Sequence, residues 1–414
     1  MLVTDQSACA AAPGKAILFG EHAVVFGQPA IAASLSDLRI WVLLTPTDTK
    51  QLRVSMPDLL KPIDYRVDVA QIQKLDLQAP PTPACADHCA AVLGDACDAF
   101  AVSALTPVLY LVRHMCPPEI LKQGLDMWVR SQDLPVGAGL GSSAAFGVAC
   151  AAALLRLQHP TQSLGVPNHD LRKEVDRYSF YSEILLHGTP SGIDNAVSCH
   201  GGAIVFQKGT ETSMKAIENM PELSLLLVNT RVPRSTKELV AGVRNLYHTH
   251  RPTVSPILDA IGAISSEFQS MIQVGSLASL GSSLLELVRL NQALLQAIGV
   301  SHPSLERVAT LVHQVAGDRA AAKLTGAGGG GCAIVLFKPD EEAATRSAIE
   351  AALRRESEWN YQCFSSKVGG DGVTWMDPKD FPKTKTSDTT RIRWALAAGA
   401  AMTALVLLRS HKRL

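Results

Sequence analysis

Short apolar runs bordered by turn residues alternate along the chain with longer stretches whose apolar positions recur every three to four residues. The short runs predict strands at Ala16–Phe19, Arg39–Leu44, Leu125–Arg130, Ala203–Phe206, Ser224–Val228, Cys332–Phe337 and Tyr361–Ser366. The periodic stretches predict helices over 84–116, 144–157, 170–187, much of 236–316, and 340–355. Residues 57–83 read as irregular and proline-bearing. Strands and helices mix without regular βαβ alternation, and there is no internal repeat. The pattern predicts an α+β fold of two lobes with the cleft between them.

The chain has 414 residues, is 47% hydrophobic and carries a formal net charge of +0. That balance argues against a nucleic-acid partner, which calls for a basic surplus. Nine cysteines occur without Cys-x-x-Cys pairing, which reads as a reducing, cytoplasmic setting. Cys85, His88, Cys89 and Cys97 read as one face of a helix rather than a zinc site. No signal peptide is expected at the N-terminus. At the other end, residues 376–390 have a linker composition, followed by an uncharged stretch, Trp394–Leu408, with basic residues on both sides. As a helix this stretch spans about 22 Å, short of a hydrocarbon core of roughly 30 Å. The tail over 391–414 is a candidate membrane anchor; a packed or frayed C-terminal helix is the alternative. Its final Lys-Arg-Leu only loosely resembles a peroxisomal address.

Four segments carry candidate chemistry. Gly137-Ala138-Gly139-Leu140-Gly141-Ser142-Ser143 leads into an apolar helix, so backbone N–H groups and the helix N-terminus can meet an anion. The two hydroxyls suit a phosphate or a hard cation, and with no lysine after the glycines this is not a Walker A loop. Lys15 lies in a Pro-Gly turn before a strand, and Glu21 and His22 follow that strand. Asp194 follows a Pro-Ser-Gly turn that projects its carboxylate, with Asn195 available to orient it and Glu183 upstream. Such an aspartate can equally be an Asx turn or a helix cap. Finally, five of the six residues 326–331 are glycine, an entropic cost that calls for close approach to a ligand or to another loop.

In this order the segments resemble the GHMP kinase superfamily, which takes in galacto-, homoserine, mevalonate and phosphomevalonate kinases. Five strings bring the match closest to the mevalonate kinases. They are Gly20-Glu-His-Ala-Val-Val, Pro135-Val-Gly-Ala-Gly-Leu-Gly-Ser-Ser-Ala-Ala, Ser191-Gly-Ile-Asp-Asn-Ala-Val-Ser, Val240-Ala-Gly-Val-Arg-Asn and Lys323-Leu-Thr-Gly-Ala-Gly-Gly-Gly-Gly-Cys. The resemblance covers about residues 10–374. It implies a two-lobed GHMP-kinase fold: an ATP-binding lobe over 1–225, a second lobe over 226–374, a linker over 375–390 and the tail. It further implies ATP and Mg²⁺ as cofactors, mevalonate as the small-molecule substrate and a homodimer. Residues 137–143 would wrap the triphosphate, and Ser143 and Glu183 would hold Mg²⁺. Asp194 would be the base on the C5 hydroxyl, with Lys15 beside it stabilising the moving phosphoryl group. Glu21 and His22 would seat mevalonate, and Ser131 matches a nucleotide-contacting serine. One departure is Pro57-Asp58, where relatives carry Asn near the adenine. Other readings are a phosphomevalonate or homoserine kinase, or a non-catalytic sensor of ATP and a ligand. Intact Lys15, Ser143, Glu183 and Asp194 argue against the sensor.

Overall fold

The computed structural model describes residues 3–59, 61–94, 97–208, 213–274, 277–338 and 341–383. The tail and residues 384–390 of the linker before it therefore lie outside the described residues. Among the described residues, no helix is long and apolar enough to cross a membrane.

The first half of the chain builds one sheet. It contains β1 (Ala8–Phe19), β2 (Ala30–Pro46), β3 (Gln51–Met56), β4 (Ile63–Asp68), β5 (Leu125–Gln132) and β6 (Ala203–Gln207). The second half adds β8 (Leu223–Asn229), β9 (Ala320–Leu324), β10 (Cys332–Phe337) and β11 (Gln362–Val368); the short β7 (Ser213–Ala216) and β12 (Thr374–Met376) pair with β6 and β1. The main path runs β4-β3-β5-β2-β11-β8-β10-β9. Pairings are antiparallel except β3 with β5, and the halves join where Val368 meets Leu35. A boundary at residue 225 falls inside β8.

Several strands went beyond the expectation. The 57–83 stretch holds β4 and a helix, α1 (Val69–Gln73); β4 alternates inward and outward positions along the hairpin, while its partner β3 is buried over its last three residues. Strand β9 reads Ala-Ala-Ala-Lys-Leu, weak in strand propensity, yet it is fully buried between β10 and two helices. The 84–116 stretch divides into α2 (Pro83–Leu93) and α3 (Ala99–Met115). Cys85 and Cys89 are buried on α2, His88 is exposed and bonds Asp76 O, and Cys97 lies beyond the helix. The single helix face expected for all four is therefore not formed.

After α4 (Pro118–Gln123) and β5, helix α5 (Ser142–Gln158) is apolar on nearly all sides and forms the centre of the larger core. It packs on β1, β2 and the helices α6 (His169–His187) and α7 (Ile193–His200). The remaining helices are α8 (Thr236–Thr249), α9 (Arg251–Val274), α10 (Leu277–Ala297), α11 (Pro303–Ala316) and α12 (Glu342–Arg355). Residues of α8–α12 pack with β8, β9 and β10 into a second core. The glycine-rich loop before α5 lies against both halves, as its contacts below show.

Candidate active site

The site starts from an irregularity in β1. Its register with β2 shifts between Pro13 and Lys15, and such a bulge re-aims the following side chain. Gly14 has no Cβ, and one there would sit 2.6 Å from Leu134 Cδ1 and 2.8 Å from Leu140 O. The loop therefore lies directly on the strand, and Lys15 N donates to Leu140 O at 2.8 Å. Within the loop the residues alternate. Gly137, Gly139 and Gly141 line a cavity of about 350 Å³ together with Ser142, Ser143, Glu183, His187 and Asp194. Ala138 and Leu140 are buried on the other side. Of the residues expected to wrap phosphates, these two serve through their backbone instead: Leu140 O holds Lys15 and Ala138 O holds Arg234.

Helix α5 begins at this cavity, with Gly141 as its N-cap and no side chain capping it. Its first N–H groups lack intrahelical partners, and that end favours negative charge. Helix α7 brings Asp194 into its first turn behind Gly192, whose φ of 79° is left-handed. Lys15 Nζ stands 3.3 Å from Asp194 Oδ1; the lysine side chain is 10% exposed and the aspartate 37%. The carboxylate is thus open to the cavity while its cation is not. A Cβ on Gly141 would sit 3.0 Å from Lys15 Cγ and 3.5 Å from Asp194 Oδ2, so the loop closes tightly over this pair. Asn195 does not orient Asp194: it is buried and donates to Ser179 Oγ on α6 at 3.3 Å.

Helix α6 supplies Glu183, which is 4% exposed. Burial pushes its carboxyl up to about 7; Asp194 adds to the rise and a hydrogen bond from Ser143 opposes it. Its Oε1 has no hydrogen-bond partner. His187, one turn on, lies 3.6 Å from Glu183 Oε2 and 3.4 Å from Ser143 Oγ, and burial lowers its pKa. A buried, unpartnered carboxylate oxygen beside a hydroxyl on a phosphate-sized cavity is a donor set that fits a hard divalent cation.

Three expected residues, Glu21, His22 and Ser131, do not line this cavity. Glu21 is turned away from the cavity: Oε1 ion-pairs with Lys323 and Oε2 accepts from Asn291 Nδ2 at 3.1 Å. Both oxygens of its carboxylate are thus taken up by a buried network. His22, with a left-handed φ of 61°, is bonded through Nε2 to Ala327 O at 2.8 Å, while its Nδ1 is buried without a partner. Ser131 stands just before the loop, but its hydroxyl donates to Leu134 O at 2.5 Å and its N–H to Asp58 Oδ2 at 2.9 Å. Asp58 also pairs with Arg130 at 2.7 Å, so the departure at this position builds a salt bridge.

Arg234 was not anticipated. From the turn before α8 it donates to Ala138 O at 2.9 Å and to Thr325 O at 3.3 Å, tying the two glycine-rich loops together. Its sequence signal is one cation among Arg231, Arg234 and Lys237 around a Val-Pro-Arg-Ser turn, which propensity reads as surface.

A glycine-rich cradle at a helix N-terminus, a lysine–aspartate pair and a carboxylate–hydroxyl pair around one cavity are the parts that phosphoryl transfer of the GHMP kinase class calls for. Residues 103–202 match the family described as GHMP kinases N terminal domain, and residues 275–355 match GHMP kinases C terminal. Mevalonate kinase of Mus musculus is 40% identical over 88% of this chain and 93% of its own length. That of Candida albicans is 36% identical over 91% and 92%. The fold matches the crystal structure of L. major mevalonate kinase in complex with R-mevalonate, with a TM-score of 0.63 at 24% identity, covering 87% of this chain and 96% of that one. The chain belongs to the mevalonate kinase family.

Proposed function

We propose that the chain transfers the γ-phosphoryl group of ATP to the C5 hydroxyl of (R)-mevalonate, a step in isoprenoid and sterol precursor synthesis. The observation that carries the reading is Asp194, open to the cavity and 3.3 Å from a sheltered Lys15. Asp194 accepts the proton of the attacking hydroxyl. Lys15 holds the carboxylate in place and faces the charge that develops during transfer. The N–H groups of the 137–141 loop and of the first turn of α5 bind the phosphate oxygens. Ser143 and Glu183 would hold Mg²⁺, which when bound neutralises charge on the β- and γ-phosphates. The resemblance supports reading His22, in the turn that follows β1, as the border of the acceptor end of the site, with Glu21 behind it. Ser131 marks the approach for the nucleotide.

This reading divides the chain near residue 225 into an ATP-binding lobe and a second lobe. Homodimerisation is supported by the resemblance, and sedimentation of the purified chain tests it. Membrane anchoring through 391–414 is supported by the basic-flanked apolar composition of the tail. Carbonate extraction of membranes carrying the full chain or residues 1–390 tests that: if both extract, the anchor fails.

The deciding experiment for function is an ATP-dependent assay over a panel of alcohols: mevalonate, phosphomevalonate, homoserine and galactose. Turnover selective for mevalonate is expected. Selectivity for another alcohol moves the chain within the superfamily, and no turnover with any of them leaves the sensor reading.

A further inference from the structure

Lys323 is a lysine with a fully buried side chain that the phosphoryl-transfer chemistry does not use. It sits near the end of β9, pairs with Glu21 and donates to Leu324 O at 2.7 Å. The other oxygen of Glu21 is held by Asn291 on α10, and the neighbouring Gln292 accepts from Leu324 N at 2.8 Å. Three segments far apart in sequence thus meet around one buried charge pair.

The pair belongs to a row of cross-links. Thr325 Oγ1 accepts from Ile17 N at 3.0 Å and donates to Ile17 O at 2.9 Å. Ala327 O accepts from His22. Residues 323, 325 and 327 therefore fasten the end of β1 and its following turn, every second residue along the late strand and loop. The turn is held in a conformation it would not choose, since His22 is left-handed and is not glycine. Buried ion pairs are weak sources of stability and better attested as devices that fix one arrangement over others.

We propose that Lys323 is a positioning residue for the alcohol substrate, acting through Glu21 to hold the Gly20–Glu21–His22 turn against the late glycine loop. Neither Lys323 nor Glu21 touches the substrate. The proposal rests on the reading of that turn as the border of the mevalonate site.

Steady-state kinetics of the full chain test it, with circular dichroism and melting curves for every variant. The wild type comes first: no turnover of mevalonate removes the functional reading and this proposal with it. Given wild-type turnover, Lys323→Met is expected to raise the KM for mevalonate at least tenfold and leave the KM for ATP within twofold. Glu21→Gln is expected to do the same at pH 7. Its KM should then fall as pH rises, because a buried ammonium without a counter-ion loses its proton. The Glu21→Gln/Lys323→Met double variant should lose that pH dependence. A normal mevalonate KM in Lys323→Met overturns the proposal. So does a raised KM in Glu21→Gln alone, which would mean direct contact, or a parallel rise in both KM values, which would mean general damage. If Lys323→Met does not fold, Asn291→Ala loosens the same carboxylate from the other side. A rise of about threefold confined to mevalonate supports the proposal, and none overturns it.

Discussion

Two glycine-rich loops face each other across Arg234, and they use glycine for different reasons. In the 137–141 loop the glycines are the residues that line the cavity: a Cβ at Gly137 would meet nothing within 4 Å, while one at Gly139 would strike the Arg234 guanidinium and one at Gly141 would sit 3.0 Å from Lys15 Cγ. In the 326–331 loop added Cβ atoms run into the protein: Gly328 into the Val300 carbonyl, Gly329 into Leu239 at 2.8 Å, and Gly330 into Val232 O at 2.7 Å. The N–H groups differ too. Gly329 N and Gly331 N are bonded to Val300 O and Val232 O at 2.8 and 3.0 Å, whereas no side chain caps the start of α5, whose Ser142 and Ser143 line the cavity. One loop is built to receive a ligand, the other to pack closely enough to hold the first. Composition does not separate the two; which of their glycines line the cavity does.

The comparison breaks most sharply at Asp194, which belongs to the receiving side. Asp194→Asn is expected to lower kcat by about 10²–10⁴-fold, the span of general-base catalysis. ATP binding should survive, since the loop and the start of α5 are untouched. Turnover within tenfold of wild type, measured by a coupled ADP assay, would remove the base role. The next effect is on stability. Gly328→Ala puts a methyl into the Val300 carbonyl at a left-handed φ of 75°, and is expected to cost about 3 kcal/mol. Gly137→Ala at a φ of 78° has only backbone strain to meet, about 1–2 kcal/mol, but should raise the KM for ATP. Urea denaturation and ATP kinetics on the two variants read the contrast; equal stability losses would erase the distinction between the loops.

Arg234→Met tests their connection. It removes the donors on Ala138 O and Thr325 O, each a charge-assisted hydrogen bond of about 1.5–3 kcal/mol. Loss of stability together with a raised KM for ATP is expected. A variant that loses stability alone would show that the receiving loop holds its shape without the clamp.

How much of this was legible depends on range. The receiving loop, Lys15 and Asp194 are readable because each lies in a local pattern, a glycine-rich run before an apolar helix or a glycine-bearing turn; Glu183 lies inside a helix and is reached only through the resemblance. Strands β3 and β4 carried a readable alternation that prolines and turns on either side obscured. Strand β9 carried none, since alanines become strand only between β10 and the helices packed on them. Arg234, Lys323 and the true setting of Glu21 were invisible for a stricter reason. Each is defined by partners far away in sequence, and a cation gives no local sign that it will be buried. The late glycines announced that something comes close, and only the fold says that it is Val300, Leu239, Val232 and Arg234.

The smallest effect sharpens the packing side of the comparison. His22 fastens the early turn to the late loop by donating Nε2–H to Ala327 O, which the neutral ring can do with Nδ1 bare. Burial is the leading cause that pulls its pKa below the usual value; Arg234 pulls the same way, while the Ala327 bond and Glu21 oppose. The unfolded chain, with a histidine near 6.5, then binds the proton first as pH falls. Stability from this group is complete above about pH 6.5 and is lost as pH drops toward the folded-state pKa, with a slope of at most about 1.4 kcal/mol per pH unit. His22→Asn tolerates the left-handed backbone better than other non-glycine residues and cannot titrate. Urea denaturation of both proteins between pH 5 and 8 should therefore show the wild type losing stability faster than the variant on the acid side. Parallel curves would mean that His22 titrates alike in the folded and unfolded chain, and a wild type that loses stability as pH rises would mean that an imidazolium makes the bond to the late loop.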